Sequence, residues 1–75
     1  MVAAKIDDIK SLVTTQLGVG SVNDSDRIVE DLGAESSDIA NIVAAVEDKY
    51  GIKVPEDKIK LISTVRDVFV AVQNA

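Results

Sequence analysis

A chain of 75 residues with neither cysteine nor histidine has to hold itself together by side-chain packing alone. Disulfides and Cys/His zinc sites are both closed to it. That length holds one domain with one modest core. Ordering the chain costs roughly 1.5 kcal/mol per residue, and apolar burial must offset nearly all of it. The apolar share of 47% is sufficient, yet only 3% is aromatic, so Ile, Val, Leu and Ala have to fill the interior. The expectation is a single domain over residues 1–75 with a thin aliphatic core of modest stability.

The same two absences constrain the chemistry. Histidine is the usual base near neutral pH and cysteine the most nucleophilic side chain, so neither service is on offer. The serines have no base positioned for them. Catalysis is not expected; if the protein takes part in a reaction, the reacting group has to be attached to it. With 13 acids against 8 bases the formal net charge is −5. Such a surface repels phosphate backbones and anionic headgroups, which disfavours nucleic acid and membrane and suits basic protein partners. The opening Met-Val-Ala-Ala-Lys reaches Asp7 and Asp8 at once, without a leader's apolar run. No later stretch approaches membrane-spanning length. A cytoplasmic monomer is expected.

Periodicity along the chain is helical throughout. Ile6, Ile9, Val13 and Leu17 recur three and four apart, and Gly18 is placed to end that helix. Residues 18–35 are rich in Gly, Ser, Asn and Asp and read as one long loop pinned by Ile28, Val29 and Leu32. Loops this long in small domains are often functional. A second helix starts near Ser36, carries an apolar stripe of Ile39, Ile42, Val43, Val46 and Tyr50, and stops at Gly51. Pro55 suits the first position of a short third helix through Ile62. Ser63 or Thr64 caps a fourth, with Val65, Val68, Phe69 and Val72 facing inward and Thr64 and Asp67 at capping-box spacing. The fold class is all-α: a small bundle of three main helices and one short one.

Attention settles on Asp31-Leu32-Gly33-Ala34-Glu35-Ser36-Ser37-Asp38. Gly33 permits a tight turn, Leu32 anchors the loop, and Ser36 falls where the chain enters the second helix. A hydroxyl there stands outward on a rigid element, beside unpaired N–H groups that favour a phosphate. A plainer reading makes Ser36 or Ser37 an ordinary helix cap.

The wider stretch from Val29 to Ser36 strongly resembles the signature of the acyl carrier protein family, which typically runs Asp-Leu-Gly-Ala-Asp-Ser-Leu. The likeness continues through Ile42-Val43, Val46-Glu47, Tyr50-Gly51-Ile52, Val54-Pro55 and Ser63-Thr64-Val65, and includes Gln16-Leu17-Gly18-Val19. The resemblance implies an acyl-carrier-like four-helix bundle, a fatty-acid-type carrier domain over the whole chain. It further implies that a phosphopantetheinyl transferase attaches 4'-phosphopantetheine covalently to Ser36. The arm's thiol would hold acyl groups as thioesters for acyl-transferring and acyl-modifying enzymes of fatty acid, polyketide or related lipid synthesis. An acyl chain would enter a space bounded by Ile39, Val43, Val46, Ile59, Ile62, Val65, Val68 and Phe69, with the Phe69 ring near its deep end. Basic docking surfaces of partners would meet Glu35, Ser37, Asp38, Ala40, Asn41, Ala44, Glu47 and Asp48.

The chain departs from the family pattern at Glu35, usually Asp, and at Ser37, usually Leu. The outward face of the second helix also has small Ser37, Ala40 and Ala44 and uncharged Asn41, where relatives carry larger apolar groups and more acid. Either this is neutral drift or the carrier serves a restricted set of partners. Three other readings compete. An unmodified, carrier-shaped interaction module draws support from the altered residues around Ser36. A calcium loop starting at Asp24 would need glycine where Val29 stands, leaving at most incidental binding by Glu30, Glu35 and Asp38. A helical DNA-binding domain would need a basic helix face, which is lacking.

Overall fold

A computed structural model describes residues 3–75, so Met1 and Val2 of the opening Met-Val-Ala-Ala-Lys lie outside the described residues. The chain order is α1 (Ile6–Leu17), α2 (Ser36–Tyr50), α3 (Glu56–Ile59) and α4 (Val65–Gln73). Among the described residues there is no strand, only an isolated antiparallel bridge between Arg27 and Thr64. Three main helices and one short one is the architecture the periodicity predicts. None of these helices is long and apolar enough to cross a membrane.

Helix α1 is the hub, packing closely on both α2 and α4, while α3 packs on α2. The hub position explains why Ile9 and Val13, four residues apart on one face, are both wholly buried. Every buried hydrophobic residue of the core is Ile or Val: Ile9, Val13, Val22, Ile28, Ile42, Val43, Val46, Val54, Ile62, Val65, Val68 and Val72. Leucine and alanine, expected to share the interior, lie instead at its margin, as Leu12, Leu17, Leu32, Ala34 and Ala71 show. No polar or charged side chain is buried among the described residues.

The long segment after α1 is less of a plain loop than its composition suggests. Ile28 donates its N–H to the Ser63 carbonyl at 2.8 Å, and Val65 and Arg66 donate theirs back to Asp26 and Asp24 at 3.1 and 2.8 Å. The Arg66 guanidinium closes the seam with a 3.0 Å bond to Asp24 Oδ2. Residues 27–32 then make a helix-like turn, with the Asp31 N–H on the Arg27 carbonyl at 2.8 Å. Of the three expected pins, Ile28 is fully buried and Leu32 packs half-buried on the core. Val29 is not a pin: it is 39% exposed. The turn sends consecutive side chains in different directions, so only one of Ile28 and Val29 faces inward.

The third helix is also shorter than the expected Pro55–Ile62. Pro55 is its cap rather than its first residue, and after Ile59 the chain tightens into three-residue turns, Lys58 to Leu61 and Ile59 to Ile62. That tightening buries Ile62 and leaves Leu61 outside.

Helix α4 begins on the capping box read from the sequence, with Thr64 as the cap. Asp67 N–H donates to Thr64 Oγ1 at 3.1 Å, and Asp67 Oδ2 accepts the N–H groups of Ser63 and Thr64, each at 2.9 Å. Partial burial alone would push the Asp67 carboxyl up. The Thr64 and Ser63 N–H bonds and the Thr64 hydroxyl outweigh it and hold the group below its ordinary 3.8. A depressed folded-state value adds stability above the unfolded pKa, and that contribution is lost as pH falls through the folded one. Asp67→Ala is therefore expected to cost about 1 kcal/mol at neutral pH. In urea melts at several pH values, the gap to wild type should close as pH drops below about 4. A gap that persists undiminished at lower pH would show that the charge is not what the box uses.

Candidate functional site

The segment before α2 sets where Ser36 stands. The Ala34 N–H returns to the Ile28 carbonyl at 3.2 Å, so the turn is tied to the buried Ile28. Gly33 between them has φ +70°, the left-handed region that side chains with a Cβ rarely adopt. A Cβ there would meet no atom within 4 Å, so the backbone angle and not space requires glycine.

Glu35 is the N-cap of α2, in extended conformation, and its N–H donates to Asp38 Oδ2 at 2.9 Å in a capping-box arrangement. Neither Ser36 nor Ser37 is the cap, which removes the plainer reading of those two residues. Ser36 is the first residue of α2 and exposed, with exposed Ser37 beside it. The N–H groups of Ser36 and Ser37 have no backbone partner among the described residues. A helix start with free N–H groups favours a negative group. Ser36 is exposed, so a group attached to its hydroxyl would not have to displace the buried core.

The acids around the site divide into two kinds. Glu30 makes no hydrogen bond among those of the described residues, whereas Asp31, also exposed, accepts the Arg27 N–H at Oδ2, and Asp38 Oδ2 accepts the Glu35 N–H. Asp24, where the calcium loop would start, is paired with Arg66, and Asp26 beside it accepts the Asn23 N–H. Among the described residues no group of three or more acids is arranged to hold a metal ion, and Glu30, Glu35 and Asp38 form no such group.

Along α2 the expected outward positions Ser37, Ala40, Asn41, Ala44 and Asp48 are all exposed. Glu47 is the exception. It is half-buried, and its Oε2 accepts the Val54 N–H at 2.8 Å, tying the segment after α2 back onto the helix. Sequence periodicity puts Glu47 on the edge of the outward face but gives no hint of a partner seven residues on.

The side chains expected to bound an acyl space are not equivalent. Val43, Val46, Ile62, Val65 and Val68 are buried, while Ile39, Ile59 and Phe69 are half-buried at the margin. Phe69 is therefore not a deep aromatic plug. At about 100° per residue it lies to one side of the Val65–Val68–Val72 line. The surface cavity of about 410 Å³ lies on the α3–α4 side and takes only Ile62 from this set.

The structure is thus a small helical scaffold with an exposed serine at the start of its second helix. Residues 7–69 match the family model described as "Phosphopantetheine attachment site". The chain is 40% identical over 73 residues to the acyl carrier protein of a Sulfurovum species, covering 95% of this chain and 97% of that protein. It is 43% identical over 67 residues to the acyl carrier protein of Wolinella succinogenes, covering 87% and 88%. With that of Campylobacter hominis it shares 33% over 70 residues, covering 91% and 89%. The chain belongs to the acyl carrier protein family. Its cofactor is accordingly covalent 4'-phosphopantetheine, installed by a phosphopantetheinyl transferase, and its work is to carry acyl groups rather than to catalyse.

The Glu47 bond separates structural from docking duty. Glu47→Ala is expected to lower stability by about 1–2 kcal/mol, because the Val54 N–H loses its acceptor. Glu47→Gln, which keeps an acceptor, should lose less. Denaturant titration of both variants checks this. Unchanged stability in Glu47→Ala would return the residue to the docking face.

Proposed function

We propose that Ser36 is the residue that carries the arm, and that this chain is a fatty-acid-type carrier working in the cytoplasm as a single carrier domain over residues 1–75. The observation that supports the site most directly is the position of Ser36: first residue of α2, exposed, next to free N–H groups, immediately after the Gly33 turn. When attached, the cofactor supplies the thiol that the chain lacks. The protein's own part is to hold the attachment point on a rigid helix start. Glu30 and Glu35 nearby repel a like-charged phosphodiester and discourage the arm from lying down on the loop. The N-terminus of α2 offsets part of the added charge.

Ser37 is the competing hydroxyl, one residue along and also exposed. Incubation with coenzyme A and a phosphopantetheinyl transferase is expected to add a single arm to wild type and to Ser37→Ala, and none to Ser36→Ala, as read by intact mass. Label on Ser37, or no label on wild type with several transferases, would overturn the assignment and favour an unmodified interaction module.

The docking face proposed for basic partner enzymes is the outward side of α2, with Glu35, Asp38 and Asp48 as its charges. Its apolar part is reduced to Ser37, Ala40 and Ala44, and Asn41 brings no charge. These small side chains give a generic partner little to bury, which suits a carrier specialised for a restricted set of enzymes. Ser37→Leu with Ala44→Met should strengthen binding to general fatty-acid synthesis enzymes by roughly 1–3 kcal/mol where both side chains become buried. Asn41→Glu should raise association rates most at low salt. Kinetic titration against such enzymes checks both, and a wild type already as good a substrate as an ordinary carrier would end the specialisation reading. The proposed route for the acyl chain is the interior near Ile39, Ile59 and Phe69, whose half-buried side chains can give way more easily than the fully packed valines behind them.

A further inference from the structure

The docking face on α2 leaves a second surface unused. On the α3–α4 side a groove of about 410 Å³, open to solvent, has an apolar floor that includes Val54, Ile62 and Ala71. Leu61 and Val70 form its apolar rim and are 73% and 42% exposed, the most exposed large hydrophobics of the described chain. Exposed apolar side chains at the rim of a concave apolar floor give a partner's apolar side chains something to bury.

Charge distinguishes this groove from the rest of the molecule. Four of the chain's 8 bases, Lys49, Lys53, Lys58 and Lys60, fall within residues 49–60, and Lys53 and Lys58 stand in the groove wall. Glu56 and Asp57 share α3 but are not among the lining residues. The one acidic side chain that does line it, Asp67, has its carboxylate committed to the Ser63 and Thr64 N–H groups. In a protein of net charge −5, the groove sets two cations beside exposed apolar side chains.

We propose that the groove is a second docking surface, chemically opposite to the α2 face, and that it takes an acidic amphipathic helical segment of a partner protein. The apolar side of the segment covers Leu61 and Val70, and its carboxylates pair with Lys53 and Lys58, as in helix-in-groove recognition. The groove's openness favours a helix over a single acyl chain, which would stay half in water there. The two faces sort partners by sign of charge, so one partner can hold the carrier while a basic enzyme works at α2. Nothing in this depends on modification at Ser36.

The test uses the full chain, with and without the arm, and a blocked peptide of about 16 residues with Leu at i, i+4, i+7 and i+11 and Glu at flanking positions. A peptide with Lys for Glu is the control. The Glu peptide is expected to bind saturably and more weakly at high salt, with amide shifts centred on Val54, Leu61, Val70 and Ala71. The Lys peptide should shift α2 instead. Leu61→Ser with Val70→Ser, and separately Lys53→Glu with Lys58→Glu, should each weaken the Glu peptide by roughly fivefold or more with thermal melting essentially kept. Binding absent up to millimolar peptide, shifts centred on α2, or charge-reversed variants that bind equally well would each overturn the proposal. So would tighter occupation of the groove by dodecanoate, or concentration-dependent shifts there without peptide, which would assign it to an amphiphile or to a second copy.

Discussion

The structure depends on the seam that joins residues 24–28 to the start of α4. Three backbone bonds, from Ile28 to Ser63, Val65 to Asp26 and Arg66 to Asp24, fix the middle of the long connection between α1 and α2. Closing a loop of that length costs chain entropy, and the seam divides the cost between two shorter spans. It also places Ile28, wholly buried, among the helices as a loop-borne core residue. The Ala34 N–H hangs from the Ile28 carbonyl, Gly33 turns the chain, and Ser36 follows as the first residue of α2. The position of Ser36 is thus inherited from bonds that join residues 24–28 to residues 63–66, a part of the chain well beyond α2 itself.

Among the described residues every buried side chain of the core is Ile or Val, which suits a domain with no cysteine or histidine to staple it. β-Branched side chains have few rotamers to lose when they enter a helix, so burying them costs less order than burying longer ones. They are not strong helix formers, however. The helices therefore rely on being packed against one another, and α1, touching both α2 and α4, is the element whose loss would expose most of the interior.

Acidity in this chain serves two purposes that composition does not separate. Asp26, Asp31, Asp38, Glu47 and Asp67 each accept a backbone N–H, at turns and helix starts where the backbone has no helical partner of its own. These carboxylates complete the fold. Glu30 and Asp48 are exposed and have no such role among the described hydrogen bonds, so they belong to the part of the negative charge most available to a partner. The bases are equally uneven: Arg27 and Arg66 sit on the loop–α4 seam, while lysines gather around α3.

The sequence by itself determined what is local. Helix periodicity, the glycine stops at Gly18 and Gly51, the Thr64–Asp67 box and the start of α2 at Ser36 each arise from residues within about one helical turn, where spacing and side-chain chemistry act directly. Much of the candidate site was legible for the same reason, since Gly33 to Asp38 is one continuous segment. Periodicity assigns residues to a face but does not say how far the neighbouring elements cover it. Hence Phe69 and Tyr50, on inward stripes, proved half-buried, and Leu61 and Ile62, adjacent and equally apolar, ended on opposite sides of the surface. The burial of Ile28 rather than Val29, the Asp24–Arg66 pair, the duty of Glu47 and the groove between α3 and α4 were decided only by the tertiary structure. Each depends on where a separate segment comes to rest, and that is set by the packing of the whole chain rather than by the residues alongside.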